Sequence, residues 1–427
     1  MANAIKDAFK VFTGQTLSFV IRFVTSILIA RWLGSDGKGL YTSLLMVPNM
    51  MVTLGELGMR QSIIYYLGRK IYTLNEIAST AIITVMCIVL PMIAVCFVIF
   101  NTYYEDFFSA MVQVTAVFII PTTMLVKVLS GVFLGLNRVG VYSKVAWIPA
   151  TIELLFACIL VLVFGMGLEG AIISLVLGSI FTIFYGLYNV KNDIEFRFSY
   201  YSVKVAKSIL SKGLLFALSL FIIQLNYRID IFLLKGMVSM EDVGIYSVGV
   251  SLAEVLWQIP AAITVVILAR TATSNNESQK YKVSQSLRVS FFAMMSVSII
   301  AIFMLNYLIP IIYGVDFIRS VSVNRILMIG VVIFTFYKIL NSRIAGLGKP
   351  QITLILFIPC LFVKVGLNLW LVPHYGIEGA AWASNISYIL ASILILVAFS
   401  KIENISIIEI LKPRKDDFLP LLKMIRK

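Results

Sequence analysis

The sequence predicts an all-α polytopic membrane protein built from two similar halves. Of its 427 residues, 60% are hydrophobic and only 13% are charged, and the mean hydropathy is +0.97. This composition suits a surface that faces lipid rather than water. Motifs of the first half also recur, in order, in the second half. Together these observations predict about 12 transmembrane helices in two six-helix lobes.

Twelve apolar stretches of helix length follow one another along the chain. A helix needs about 20 apolar residues to cross about 30 Å of hydrocarbon, and the chain has room for a dozen such helices with short connections. We place the spans at 11–33, 41–67, 77–100, 108–136, 141–164, 170–190, 213–236, 244–269, 289–312, 324–346, 351–373 and 378–400.

Two short motifs with charged residues and glycines occur in both halves of the chain and indicate a duplication. The first motif pairs a lysine inside a span with a glycine eight residues later, and it recurs at an offset of 211 residues. The second motif is a short glycine-rich segment that recurs at an offset of 209 residues. The matching positions are Lys127 and Gly135 with Lys338 and Gly346, and Gly167-Leu-Glu-Gly-Ala171 with Gly376-Ile-Glu-Gly-Ala380.

Loop charges predict the orientation of the chain. Lysine and arginine are concentrated in loops on one side, which is therefore cytoplasmic, whereas the opposite loops contain only Lys38 and Arg319. Both termini are predicted to be cytoplasmic, and the even number of spans in each half makes the lobes parallel repeats. The predicted domains are an N-terminal lobe (1–190), a cytoplasmic interfacial connection (191–212), a C-terminal lobe (213–400) and a cytoplasmic amphipathic tail (401–427).

Six cationic side chains lie inside the predicted spans. Each would cost at least about 2.5–3.5 kcal/mol if it faced lipid at the middle of a helix. We therefore expect them to line a polar cavity at the centre of the two lobes. Cationic side chains suit an anionic headgroup, and the planar guanidinium of arginine matches phosphate oxygens. The candidate headgroup residues are Arg22, Lys127, Arg228, Lys338, Arg343 and Lys364.

Four acidic side chains also lie inside spans, and they leave two interpretations open. They could neutralise cations in structural pairs, although six cations against four acids leave a positive surplus. One of them could instead couple transport to H⁺ or Na⁺, because a buried carboxylate can change protonation or bind an ion. Glu153 aligns with Lys364 in the repeat, which allows an ion pair between the lobes. The candidate acids are Glu56, Glu153, Asp230 and Glu254.

Several classes of function are disfavoured. The net charge of +14 reflects the loop bias, and no basic stripe with interleaved aromatic residues indicates nucleic-acid binding. The cysteines have no spacing typical of zinc or redox sites. We expect no catalytic residues, no metal and no cofactor other than a coupling ion. The cysteines are Cys87, Cys96, Cys158 and Cys360.

Short motifs near the first two and the seventh and eighth spans are similar to those of a known family. They are Ala30-Arg-Trp-Leu-Gly34, Gly39-Leu-Tyr41, Leu57-Gly58 and Tyr65, then Arg228-x-Asp230, Val243-Gly-Ile-Tyr246 and Pro260. With them the chain resembles the polysaccharide-exporting branch of the multidrug/oligosaccharidyl-lipid/polysaccharide (MOP) superfamily. The resemblance implies a MATE-like arrangement of the two lobes. It also implies a Wzx-type flippase, which moves an undecaprenyl-diphosphate-linked oligosaccharide to the outer leaflet of a bacterial inner membrane.

The resemblance also indicates the substrate branch and the partners. In the related peptidoglycan-precursor flippases the first helix has arginines at other turns, where this chain has Phe19 and Thr25. This difference favours an O-antigen or capsule repeat unit. The implied partners are the lipid-linked oligosaccharide, membrane lipids and other polysaccharide assembly proteins.

Other functions stay open at this point. A multidrug exporter of the same superfamily would be expected to carry surplus negative charge in its cavity, and this chain has surplus positive charge. A membrane glycan polymerase or ligase would be expected to carry a large outer loop with catalytic residues, whereas the predicted outer loops are short. A scaffold that transports nothing would have no use for the duplicated charges.

Overall fold

The computed structural model describes residues 2–104, 107–261, 263, 264, 267, 278–347, 349–414 and 417. Every regular element within these residues is helical, which confirms the predicted all-α class. Backbone contacts divide the chain into two compact units, unit 1 (1–224) and unit 2 (225–427), and the boundary falls inside one long helix. The finer division into two lobes, a connection and a tail stays a prediction, as does the side of the membrane on which the termini lie.

Unit 1 contains the first seven helices and most of the eighth. A six-residue π-helix, Cys158–Val163, extends α6, and a short 3₁₀ turn, Phe198–Tyr200, precedes α8. The helices are α1 (Ala2–Gly55), α2 (Met59–Gly68), α3 (Leu74–Tyr103), α4 (Ala110–Val117), α5 (Ile119–Gly135), α6 (Val139–Ala157), α7 (Gly167–Val190) and α8 (Val203–Lys235).

Unit 2 begins in the second half of α8. Its core contains a cluster of rings in which Phe334 lies 4.8 Å from Tyr388 and 4.9 Å from Tyr337, measured between ring centroids. A 3₁₀ turn, Val315–Phe317, follows α10. The remaining helices are α9 (Met240–Val255), α10 (Ser278–Ile312), α11 (Ser320–Gly346), α12 (Pro350–Glu403) and α13 (Ile407–Leu411).

The helices account for the twelve predicted spans. Within the described residues, 10 helical segments are long and apolar enough to cross a membrane. The two longest, Lys10–Gly68 and Gln351–Glu403, each contain two predicted spans. Each of these two segments is broken by a glycine with non-helical backbone angles, Gly34 in α1 and Gly376 in α12. The chain is therefore a multi-pass membrane protein, as predicted.

The second repeated motif marks equivalent backbone turns in the two units. Gly167 has φ +55° and Gly376 has φ +54°, the left-handed region in which a Cβ is disfavoured. Both glycines lie where one predicted span ends and the last span of its half begins. The duplicated glycine thus reflects a duplicated change of chain direction.

A buried arginine fixes the C-terminal segment to α10. Arg288 is 5% exposed and donates from Nε and Nη2 to the Asp417 carboxylate at 2.7 and 2.8 Å. Its Nη1 donates to the carbonyl oxygen of Ile410 at 2.8 Å. Burial tends to raise the pKa of the Asp417 carboxyl, but hydrogen bonds from Arg288 and the Arg414 backbone hold it below its ordinary value. The rest of the predicted tail, 415, 416 and 418–427, lies outside the described residues.

Replacing Gly376 with Ala should destabilise the protein by about 1–2 kcal/mol, because a non-glycine residue is strained at positive φ. A Cβ there would meet no atom within 4 Å, so the cost comes from the backbone alone. Gly366→Ala is the matched control, since Gly366 is helical in the same α12 and also has open space around it. Thermal unfolding in detergent would measure both. Equal melting temperatures for the two variants would contradict the assignment.

Replacing Arg288 with Met should release the C-terminal segment, because breaking a buried ion pair from one side costs about 3–5 kcal/mol. Limited proteolysis should then cleave the segment after Glu403 faster. Arg414→Met is the control, since the Arg414–Glu409 pair is largely exposed and worth little. Since the pKa of Asp417 is lowered, docking should persist at neutral pH and weaken only as acid protonates Asp417. Similar cleavage rates for Arg288→Met and the wild type would contradict this role.

Candidate functional site

Two of the predicted cations form ion pairs inside unit 1. Arg22 on α1 donates from Nη1 to Oε2 of Glu153 on α6 at 2.9 Å. The arginine side chain is 48% exposed, whereas the glutamate is only 6% exposed. Lys127 on α5 lies with its Nζ 2.5 Å from Oε2 of Glu56, which follows α1. Both predicted acids of this unit are therefore neutralised by predicted cations.

In unit 2 the fully buried Lys364 lies with its Nζ 2.7 Å from Oδ2 of Asp230. The same carboxylate accepts hydrogen bonds from Tyr246 and Ser384 at 2.8 Å and from Asn368 at 2.9 Å. Four donors therefore surround one carboxylate, which offsets the cost of burying the two charges.

Two further arginines of unit 2 also have acidic partners. Arg228 on α8 donates to Glu254 on α9 at 3.1 Å, and both side chains are partly exposed. Arg343 near the end of α11 is buried and donates from Nε to Glu403 at 2.8 Å. Glu403 ends α12 and was not among the candidate acids, because the sequence pattern placed it in the tail. The Arg343–Glu403 ion pair therefore links the C-terminal ends of α11 and α12.

Lys338 is the exception among the six candidate cations. Within the described residues no carboxylate lies at ion-pair distance from it, and its half-buried ammonium is held by aromatic rings instead. Its Nζ lies 4.1 Å from the ring centroid of Trp257 and 5.8 Å from those of Tyr227 and Phe334. Such contacts stabilise a cation through the negative faces of the rings and leave its positive charge uncancelled.

Lys127 differs from Lys338 in having a carboxylate partner. Lys127 and Lys338 are equivalent by sequence, and in unit 1 the lysine pairs with Glu56 of the second predicted span. In unit 2 the acid of the second span is Glu254, and it pairs with Arg228. Among the six candidate cations, Lys338 is therefore the one for which the described residues offer no carboxylate partner.

The aligned residues Glu153 and Lys364 each find a partner within their own unit. Arg22 of the first span pairs with Glu153 of the fifth span in unit 1, and Asp230 pairs with Lys364 of the equivalent spans in unit 2. An ion pair thus joins the first and fifth spans in both units. The base lies on the first span in unit 1 and on the fifth span in unit 2. All four candidate acids thus have a cationic partner within their own unit.

Unit 1 also encloses a polar cavity of about 400 Å³. Both arms of α1 line it, together with α5, α6 and α7, because the bend at Gly34 turns two faces of one helix toward the same space. Its rim carries the exposed Arg22 and Asn49. The buried part of its lining includes Thr25, Lys38, Tyr41, Glu153 and Ser179.

Lys38, which the loop pattern of the sequence predicts to lie in an outer loop, lies in a helix instead. Lys38 is helical, 4% exposed and donates from Nζ to Ser26 at 2.9 Å. The glycines and Asp36 around it are typical of a loop, and they concealed the helix that resumes after Gly34. Helical spacing would have revealed the face, since Tyr41 follows Lys38 by three residues and Asn49 follows Tyr41 by eight.

Comparison with known proteins gives the family. A model of the family described as polysaccharide biosynthesis protein matches residues 4–270, more than half of the chain. A protein of Shigella flexneri provisionally named an O-antigen transporter is 26% identical over 230 residues. That match covers 53% of this chain and 55% of the relative, so the chain spans about half the length of this curated relative.

Solved structures of similar fold come from one superfamily. An inward-closed structure of the lipid II flippase MurJ has a TM-score of 0.76 at 13% identity and covers 99% of this chain and 92% of its own. An inward-facing MATE-family multidrug transporter of the MOP superfamily has a TM-score of 0.70 at 18% identity, covering 91% and 94%. At these identities the likeness shows the fold alone.

The fold and the family agree with the resemblance found in the sequence. The relatives are transporters and not catalysts, in line with the prediction that the chain is no enzyme. The chain belongs to the polysaccharide biosynthesis protein family and is a multi-pass membrane protein with the fold of the MOP-superfamily transporters.

Proposed function

We propose that the protein is a flippase for undecaprenyl-diphosphate-linked oligosaccharide, an O-antigen or capsule repeat unit. It moves this lipid from the cytoplasmic to the outer leaflet of a bacterial inner membrane by alternating access. Family membership and the O-antigen transporter relative support the substrate class. Membrane lipids accommodate the polyprenyl tail, and the enzymes that build and polymerise the repeat unit are the expected further partners.

The observation that carries the proposal is the uncancelled charge of Lys338. A cation that is already paired with a carboxylate attracts a phosphate only weakly. In the described structure the other five candidate cations have carboxylate partners. The indole Nε1–H of Trp257, beside Lys338, is buried and has no acceptor among the described residues. Phosphate oxygens would satisfy both groups, because they are strong acceptors that carry negative charge.

The same observation separates the flippase from a multidrug exporter. A pump for cationic amphiphiles needs a site with surplus negative charge, but within the described residues of unit 2 the candidate acids already have cationic partners. A cation without a carboxylate partner attracts an anionic headgroup instead. We therefore prefer the diphosphate-linked substrate.

For coupling we propose Asp230 and a proton. Its carboxylate is surrounded by hydrogen-bond donors, including the Lys364 ammonium, whereas a sodium ion requires oxygen lone pairs as ligands. A proton needs no additional space. Protonation of Asp230 would remove the counter-charge of a fully buried lysine and would change the stability of unit 2, which gives the ion a means to bias conformation.

Replacing Lys338 with Met should lower flipping about 10-fold or more, because one charge-assisted hydrogen bond is worth about 1.5–3 kcal/mol. Lys338→Arg should retain most activity since it retains the charge. Flipping of a fluorescent undecaprenyl-diphosphate oligosaccharide in proteoliposomes measures both variants. Lys204→Met, at an exposed lysine outside the predicted spans, serves as the control.

Lys127 provides a second comparison for this prediction. Lys127→Met alone should lower stability, because it leaves Glu56 without its partner. The double variant Lys127→Met/Glu56→Gln should recover both stability and flipping. Wild-type flipping by Lys338→Met, or loss of flipping in a stable Lys127→Met/Glu56→Gln, would contradict the assignment of the headgroup to Lys338.

Replacing Asp230 with Asn should lower the melting temperature strongly, because it leaves the buried Lys364 ammonium uncompensated at a cost of about 3–5 kcal/mol. The double variant Asp230→Asn/Lys364→Met should recover stability. If Asp230 couples transport to protons, this double variant should flip at the same rate with and without a pH gradient. A double variant that a pH gradient still accelerates would exclude Asp230 as the coupling acid.

A further inference from the structure

The polar cavity of unit 1 is not explained by diphosphate binding. It lies within one unit, it is lined by groups of both signs, and Lys338 belongs to the other unit. Polar and charged side chains are costly inside membrane-spanning helices unless they serve a ligand or one another. Thr123 and Asn49 line this cavity. Their side chains make no hydrogen bond to another described residue.

We infer that this cavity is a sugar-binding subsite, which takes one or two rings of the oligosaccharide. The inference rests on the proposed function, because it names a part of the same substrate. Its volume of about 400 Å³ falls in the range of about 300–1,000 Å³ that is typical of small-molecule sites.

The charges of the lining select against other ligands. The buried Glu153 carboxylate already receives the Arg22 guanidinium, so this ion pair offers little free charge to a phosphate. Lys38 adds a further cation to the lining, which disfavours the cationic drugs of multidrug exporters. A sugar ring suits this mixture, because each hydroxyl both donates and accepts and can therefore bind to either sign.

The arrangement from rim to floor also suits a ring that enters from one side. At the rim, Asn49 offers an amide that both donates and accepts, and Arg22 is about half exposed. At the floor, Tyr41 presents an aromatic ring close to Lys38, whose Nζ lies 5.4 Å from the ring centroid. Aromatic faces with a polar tip bind amphipathic ligands well, since one surface is apolar and the edge is polar. Pyranose rings have this character.

Two conservative substitutions test the subsite without breaking buried pairs. Asn49→Leu and Thr123→Val keep side-chain size while removing hydrogen-bonding groups, and neither residue is fully buried. Asn101→Leu, at an exposed asparagine of α3 outside the cavity, is the matched control. Saturation-transfer NMR on the full chain in nanodiscs, with neutral hexoses and N-acetylhexosamines as probes, measures sugar contact directly.

We expect sugar signals with the wild type and with Asn101→Leu, and about five-fold weaker affinity in each cavity variant, as the loss of one hydrogen bond implies. Flipping assays separate this result from the proposed function. The cavity variants should slow flipping of the oligosaccharide-bearing lipid and leave that of sugar-free undecaprenyl diphosphate unchanged, whereas Lys338→Met should slow both.

Other outcomes would overturn the inference. Sugar signals that are absent, or that are unchanged in Asn49→Leu and Thr123→Val, would exclude the cavity as a sugar site even if flipping is observed. Binding of tetraphenylphosphonium that depends on Asn49 or Thr123, without sugar binding, would assign the cavity to cationic drugs. Loss of flipping for both lipids in the cavity variants, with the sugar signals intact, would indicate a structural role instead.

Discussion

The constraint on which the rest of this structure depends is the cost of charge inside a membrane. Ionisable side chains in apolar helices are costly unless they are paired. Arg22, Arg228 and Lys364 each have an acidic partner on another helix. These pairs fix which helices are neighbours within each unit. Because a buried ion pair contributes little net stability compared with apolar packing, its retention points to specificity or function rather than to simple cohesion.

Duplication followed by divergence explains where the remaining charge lies. Both units join their first and fifth spans by an ion pair, with opposite polarity, and both place a lysine at the same position of the fourth span. In unit 1 that lysine is paired with Glu56, and in unit 2 the acid of the second span, Glu254, pairs with Arg228. The two units therefore share a helix arrangement but differ in the charged groups that they present. Unit 2 presents a cation among aromatic rings, and unit 1 presents a mixed polar cavity.

Much of the fold could be predicted from the sequence, because hydropathy, length and the repeated motifs each have a direct physical meaning in lipid. The twelve spans and the turn at Gly376 follow from these patterns. The charged candidates could also be predicted from the sequence. Their ion-pair partners could not, because pairing depends on which helices pack together and at what depth. Lys127 has a carboxylate partner, whereas Lys338 lies over aromatic rings and Glu254 pairs with Arg228. Lys38 was misplaced because glycine-rich composition hid a helix.

Equilibrium binding of the diphosphate shows whether the ammonium of Lys338 receives this headgroup. Affinity for sugar-free undecaprenyl diphosphate should be measured for the wild type, for Lys338→Met and for the stable Lys127→Met/Glu56→Gln variant in the same nanodiscs. We expect binding to weaken about 10-fold or more only in Lys338→Met, in keeping with the loss of one charge-assisted hydrogen bond. Equal affinity of Lys338→Met and the wild type would contradict it.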